Sequence, residues 1–260
     1  MDPAVFAAAV YKGFRIKQYL RVFSPPQRPK VHLSGPMAPI GALWGVLRQR
    51  QTKYILSAAA IAGLEVDLKP FEFGVTNKSP GFLDKFTLGK IPAFEGNDGF
   101  TLLEGASIAR YVASLVPESG LLGDNLKDAA QVDQWIHFVE HEISAYTDLI
   151  WQMLMGFFAE KTYSEQIHKS LLERQERSLK FLEQSINTHE FLVTDKITLA
   201  DIVLAAVIQR AAGVTLGAAE RALYPNIFAH HAKVAADPRI KDIFGAAEFV
   251  EVPLAFGKAD

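Results

Sequence analysis

Three short stretches of this 260-residue chain carry residue types that can do chemistry. The first is Gly89-Lys90-Ile91-Pro92, just ahead of the apolar run Pro92-Ala93-Phe94-Glu95. A proline there reads as an ordinary edge residue; with a cis Ile91–Pro92 bond, the Ile91 amide and carbonyl turn outward and can pair with an extended peptide as an added strand does. The second is Glu104-Gly105-Ala106-Ser107, where a strand feeds a helix. The first amides of that helix lack internal partners and lie at the positive end of its dipole, which suits a carboxylate; a simple helix cap is the other reading. The third is His137-Phe138-Val139-Glu140-His141, which fits the H-x-x-E-H zinc pattern with both histidines on one helical face. No sequence context for a zinc protease accompanies it, so a plain helix is expected. His230-His231 reads as a surface pair on a helix, and no metal is expected.

The elements that must position these residues follow from hydrophobic period and breakers. Ile40 to Leu47 reads as a buried strand, Thr52 to Ala62 as a helix stopped at Gly63, and Leu64 to Leu68 as a strand of period two, giving a parallel β-α-β unit. Pro80 to Lys85 is a short helix. Pro92 to Glu95 and Phe100 to Leu103 flank Gly96-Asn97-Asp98-Gly99, a hairpin signal, and Ser107 to Leu115 is helical. After Pro117 strand signals cease. Helices are expected over about 128–158, 164–186 and 199–212, and from Pro225 to Asp237. Thr198 and Asp201 are spaced to cap each other's orphan amides. An α/β piece followed by an all-helical piece is an α+β layout.

Composition narrows the function classes. With 49% hydrophobic and 22% charged residues the chain is globular, and with no cysteine it has neither a thiol nucleophile nor a Cys-X-X-Cys redox centre. The formal charge of −2 is unevenly spread: six basic residues and one acid in residues 1–36 give +5, which leaves −7 for residues 37–260. An acidic body argues against a nucleic-acid face, and no transmembrane span is visible. The basic start reads as a disordered extension, as a mitochondrial targeting sequence, or as sequence ahead of a true start at Met37.

From about Gly41 to Phe256, order and residues together resemble a cytosolic glutathione transferase. Gly89-Lys90-Ile91-Pro92 is similar to that family's cis-proline loop, and Thr198 to Asp201 to its helical capping box. Phe71 to Pro80, Pro92 to Gly96, Ala130 to Trp135, Thr198 to Ile202 and Tyr224-Pro225-Asn226 more narrowly resemble the transferase-like region of the gamma subunit of the eukaryotic elongation factor one complex. The resemblance implies a thioredoxin-like, glutathione-binding domain at 37–118 and an all-helical domain at 124–258. It also implies a cytoplasmic homodimer. The full gamma subunit continues into a further domain, so a stand-alone transferase of the kind encoded with fungal secondary-metabolite pathways is expected. Its activity would be conjugation of glutathione to a small hydrophobic electrophile; the alternative is a non-catalytic module associated with translation factors.

Such chemistry needs a thiolate. Lowering a thiol pKa by about two units takes about 2.7 kcal/mol, within the roughly 1.5–3 kcal/mol of one charge-assisted hydrogen bond. The family supplies the donor after the first strand; Val46 stands where related sequences often carry Tyr. Thr52 is the remaining hydroxyl, and Arg48 or Arg50 can act by charge or be solvated turn residues. For glutathione itself the resemblance implies Lys90, Ile91, Pro92, Glu104, Gly105 and Ser107, with Gly105 replacing the family's usual Ser. The electrophile would lie near Trp135, Tyr146, Trp151 and Met155, which are also core candidates.

Overall fold

The computed structural model of the protein describes residues 38–157, 163–186 and 190–256, so the extension read at 1–36 lies outside it. Strand β1 (Gly41–Trp44) leads to helix α1 (Arg50–Ile61), which buries Thr52, Tyr54, Ile55, Ser57, Ala58 and Ala59. Gly63, at φ +70°, closes α1: the Leu64 amide donates to the Ala59 carbonyl (2.8 Å) and the Gly63 amide to that of Ala60 (3.2 Å). Leu64 is spent on this cap, so the strand expected from Leu64 starts later, as β2 (Asp67–Lys69). It runs parallel to β1, with Leu43 opposite Leu68. Short α2 (Pro80–Leu83) precedes the expected hairpin, β3 (Ala93–Gly96) and β4 (Thr101–Leu103), with Phe94 opposite Leu102. β3 also pairs antiparallel with β1, giving the order β2-β1-β3-β4. Helix α3 (Gly105–Ser114) then packs against α1.

The rest is helical. α4 (Leu126–Val139) is capped by the Asn125 side chain, which accepts from the Lys127 and Asp128 amides at 2.9 and 3.1 Å. Where an unbroken helix is expected, Glu140–Ser144 form a π-helical turn before α5 (Ala145–Leu154). A π turn disturbs the regular ladder, and a neighbour compensates here. Gln175, buried on α6 (Glu165–Ser185), donates to the Ile143 carbonyl (3.3 Å) and to Thr147 Oγ1 (2.6 Å). α7 (Leu199–Ala212) is apolar on nearly every side and is therefore the central helix. α8 (Ala218–Arg221), α9 (Pro225–Ala235) and α10 (Lys241–Phe244) complete the set. One apolar core runs through both halves, from Leu43, Ile55 and Ile108 to Val132, Ile143 and Leu204. Three α1 side chains also cross between halves. Arg50 grips Asp148 with its two terminal guanidinium nitrogens (3.0 and 2.6 Å), Lys53 donates to the Ile243 and Phe244 carbonyls (3.0 and 2.6 Å), and Tyr54 donates to Glu140 (3.1 Å).

The expected capping box forms at Thr198 and Asp201. Asp201 is fully buried and accepts from the Thr198 amide (2.8 Å), the Thr198 hydroxyl (2.7 Å), the Leu192 amide (2.8 Å) and His230 Nε2–H (2.8 Å). The reading of His230-His231 as a surface pair is thereby corrected: the rings are 7% and 5% exposed, because α9 packs on α7 and turns both inward. His231 lies against Phe244 and Phe249. Burial, and then the neighbouring His230, lower its pKa to about 4. Folded His231 thus stays neutral where the unfolded chain takes up a proton, so the unfolded state binds more protons between about pH 6.5 and 4. Stability should fall by up to about 3 kcal/mol as the pH drops through that window. Urea unfolding at stepped pH reads the slope, and His231→Leu should flatten it; an unchanged slope in that variant refutes the assignment.

Candidate functional site

Two loops and one helix end meet beside α1. Gln49 occupies the N-cap position of α1 but caps nothing. Its Nε2 instead donates to the Ile91 carbonyl (2.8 Å), 42 residues away, while the Thr52 hydroxyl donates to its Oε1 (3.1 Å). The Ile91–Pro92 bond is cis. Buried Asn77 fastens the loop ahead of it, donating to the Gly89 carbonyl (2.9 Å) and accepting from the Gly74 amide (2.7 Å). Beneath lies an apolar cluster of Phe82, Phe86 and Ala93 with Trp44 against it.

The other wall is the start of α3. Glu104, directly before it, has φ +64°, a left-handed conformation that costs a residue with a side chain on the order of 1 kcal/mol or more. No side chain caps α3, so its first amides are open to a ligand. Gly105 has no room for a side chain: a Cβ there would meet Tyr54 Oη at 2.6 Å and Gln51 Cβ at 2.7 Å. Tyr54 is fully buried, and burial first, then the Glu140 carboxylate, hold its phenol well above the usual range, so it is a neutral donor. Glu140 opens the π turn and reaches the same wall.

These parts enclose a cleft of about 210 Å³ whose lining includes Gln51, Lys90, Ile91, Glu104, Gly105 and Glu140. The open amides of α3 suit an anion. The carboxylates of Glu104 and Glu140 suit a cation, and the buried Gln51 Oε1, which has no hydrogen-bond partner, suits a donor. The Ile91 main chain adds a strand edge. An amino-acid head on an extended peptide matches all of these.

Family models for the N-terminal and C-terminal domains of glutathione S-transferases match residues 40–114 and 146–238. The chain is 38% identical over 200 residues to the glutathione S-transferase-like protein FUS3 of Gibberella fujikuroi, covering 76% of this chain and 93% of that one. This chain belongs to the glutathione S-transferase family. It is also 34% identical over 181 residues to elongation factor 1-gamma of Danio rerio, covering 70% of this chain but 39% of that longer one. Among solved structures, the GST-like domain of elongation factor 1-gamma from Saccharomyces cerevisiae superposes with a TM-score of 0.72 at 24% identity, covering 85% of this chain and all of that one. The glutathione S-transferase fold, a thioredoxin-like sheet unit followed by helices, is the one described above.

Of the residues nominated from the sequence, Lys90, Ile91, Pro92, Glu104 and Gly105 line one cleft. Ser107 is exposed on the first turn of α3, outside the lining. Thr52 as thiol donor is corrected: it is fully buried and its hydroxyl is given to Gln49. Arg50 is corrected likewise, since Asp148 holds its guanidinium. Arg48 is exposed in the turn before α1 and does not line the cleft. Trp135 belongs to the core, against Phe138 and Phe181. Trp151 and Met155 pack on a small apolar cluster around Ile150, with the Arg210 guanidinium 4.8 Å above Trp151. Tyr146 is half-buried on α5. His137 and His141 are exposed, the His141 Nδ1–H donating to the His137 carbonyl, and the plain helix expected there contains the π turn. Among the described residues no group of three or more acidic or histidine side chains is arranged to hold a metal ion, and no helix is long and apolar enough to cross a membrane. Gln49, Gln51, Tyr54 and Glu140 were missed. Two left a trace: Gln49, as a glutamine where a helix start favours Ser, Thr, Asp or Asn, and Glu140, as the acid of the H-x-x-E-H pattern, read there as part of a plain helix.

Proposed function

We propose that the cleft binds glutathione and that the protein conjugates it, through a new bond from its sulfur, to a small hydrophobic electrophile, with secondary metabolism as the source of that electrophile and a homodimer as the working assembly. The reading is carried by the convergence at one slot of open α3 amides, two carboxylates and the unpartnered Gln51 Oε1. The γ-glutamyl carboxylate would take the amides and its ammonium would take Glu104 and Glu140. The similarity to elongation factor 1-gamma, and Val46 in place of a hydroxyl, favour the alternative of a binding module without turnover.

Calorimetric titration with glutathione, followed by conjugation of an aryl halide, separates the two. We expect a dissociation constant of about 1 mM or below, weakened about tenfold in Glu104→Gln or Glu140→Gln for the loss of one charge-assisted contact. Absence of binding at about ten times that concentration rejects glutathione as ligand. Binding without conjugation of any electrophile tried supports the module.

A further inference from the structure

Resting on the glutathione reading above, we propose that the Gln49 carboxamide is the group that meets the sulfur of the bound thiol and favours its ionised form, with Thr52 as the positioning residue. The nearby hydroxyls are committed elsewhere: Thr52 donates to Gln49, and Tyr54 donates to Glu140. Val46 has none to offer. Gln49 is different. Its orientation is set by the Ile91 carbonyl, which can only accept and so takes Nε2 at 2.8 Å; Oε1 is then left to accept from the Thr52 hydroxyl, which holds the amide in place. An amide nitrogen carries two hydrogens, and one of them makes that bond.

Gln49 does not itself line the cleft but holds Ile91, which does, and this places its second hydrogen beside a peptide seated on Ile91. A carbonyl oxygen accepts two donors, so a peptide pairing with Ile91 as an added strand sets its own amide on the oxygen that Gln49 already holds. Two donors sharing one oxygen at about 2.9 Å each lie about 4–5 Å apart. A cysteinyl sulfur is three bonds from its own amide nitrogen, about 3–4 Å away, so a side-chain rotamer turned toward Gln49 brings it within hydrogen-bond reach of Nε2. A donated hydrogen bond favours a thiolate over a thiol, and about one unit of thiol pKa, a tenfold change in the thiolate fraction, is the expected contribution. The opposite role for the same contact is a plug, in which Gln49 competes with the peptide for the Ile91 carbonyl.

The full chain, loaded with glutathione, is titrated by the ultraviolet absorbance of the bound thiolate, in parallel with the pH profile of kcat/KM. Gln49→Ala should raise the bound thiol pKa by about one unit and move the acid limb of the profile equally, leaving affinity for S-methylglutathione within about twofold. Thr52→Val should raise it by a smaller amount by freeing the amide to turn, and Thr52→Ser should restore it. If Gln49→Ala fails to fold, as read by circular dichroism, the Thr52 pair decides alone. An unmoved thiol pKa in Gln49→Ala, or tighter glutathione binding as a plug predicts, overturns the inference while leaving the glutathione reading intact. Failure of the unaltered protein to bind glutathione overturns both.

Discussion

Asp201→Ala should cost about 3–5 kcal/mol of folding stability and lower the unfolding midpoint by about 10 °C or more, the largest effect expected for any single side chain discussed here. The carboxylate has no access to solvent and satisfies two backbone amides, one hydroxyl and one imidazole. Truncation leaves all four donors buried without an acceptor, each at about 1–3 kcal/mol before relaxation. Those donors lie on three pieces of chain: the segment at Leu192, the start of α7 and α9. The loss therefore loosens their junction as well as one helix end. Asp201→Asn should be milder, since one oxygen acceptor survives. Differential scanning calorimetry reads both, and a loss below about 1 kcal/mol in the alanine variant would show that this junction is held by apolar packing alone.

Gly105→Ser, which restores the family's usual residue, should damage rather than improve the protein. Helix propensity favours the change by about 0.5–1 kcal/mol, and a hydroxyl at the cleft offers the ligand one more partner. Against that, the new Cβ lies 2.6 Å from Tyr54 Oη and 2.7–2.8 Å from Gln51 Cβ and Cγ. Tyr54 is wholly buried and tied to Glu140, so it has nowhere to retreat. Overpacking of this kind costs about 1–3 kcal/mol, so sterics win and net destabilisation of about 1–2 kcal/mol is expected, with weaker glutathione binding. Adding Tyr54→Phe removes the nearest atom and should recover part of the stability. Urea unfolding and glutathione titration of the parent and both variants check this; a serine variant that is as stable as the parent and binds more tightly refutes it.

The parallel β-α-β unit, the hairpin turn, the capping box and the apolar helix near 199–212 were readable from hydrophobic period and turn chemistry, because these signals are local; the pairing of β3 with β1 was not. The π turn at Glu140–Ser144 was not: what holds it is Gln175, a polar residue inside a helix whose charge pattern reads as solvated. The late start of β2 depended on Leu64 being taken by the cap of α1, a choice between two local signals. At the cleft, the sequence nominated Ile91, Pro92, Glu104 and Gly105, which the fold brings to one lining, because turns and helix starts announce themselves. It misassigned Thr52 and Arg50, whose partners are Gln49 and, 98 residues on, Asp148. Neither the 98-residue pairing of Arg50 nor the partner a hydroxyl such as Thr52 chooses within its own turn leaves a periodic mark.

The Arg50, Lys53 and Tyr54 contacts bear on how such a protein can be recombined. A chimera joining this chain's helices to a sheet unit that lacks the equivalents of Arg50, Lys53 and Tyr54 would lose three contacts at the seam, leaving the Asp148 and Glu140 acids without α1 partners and two α10 carbonyls without the Lys53 ammonium. Crossover points in this fold are therefore limited by α1, whose inheritance is bound to that of the partners it grips in the other half of the chain.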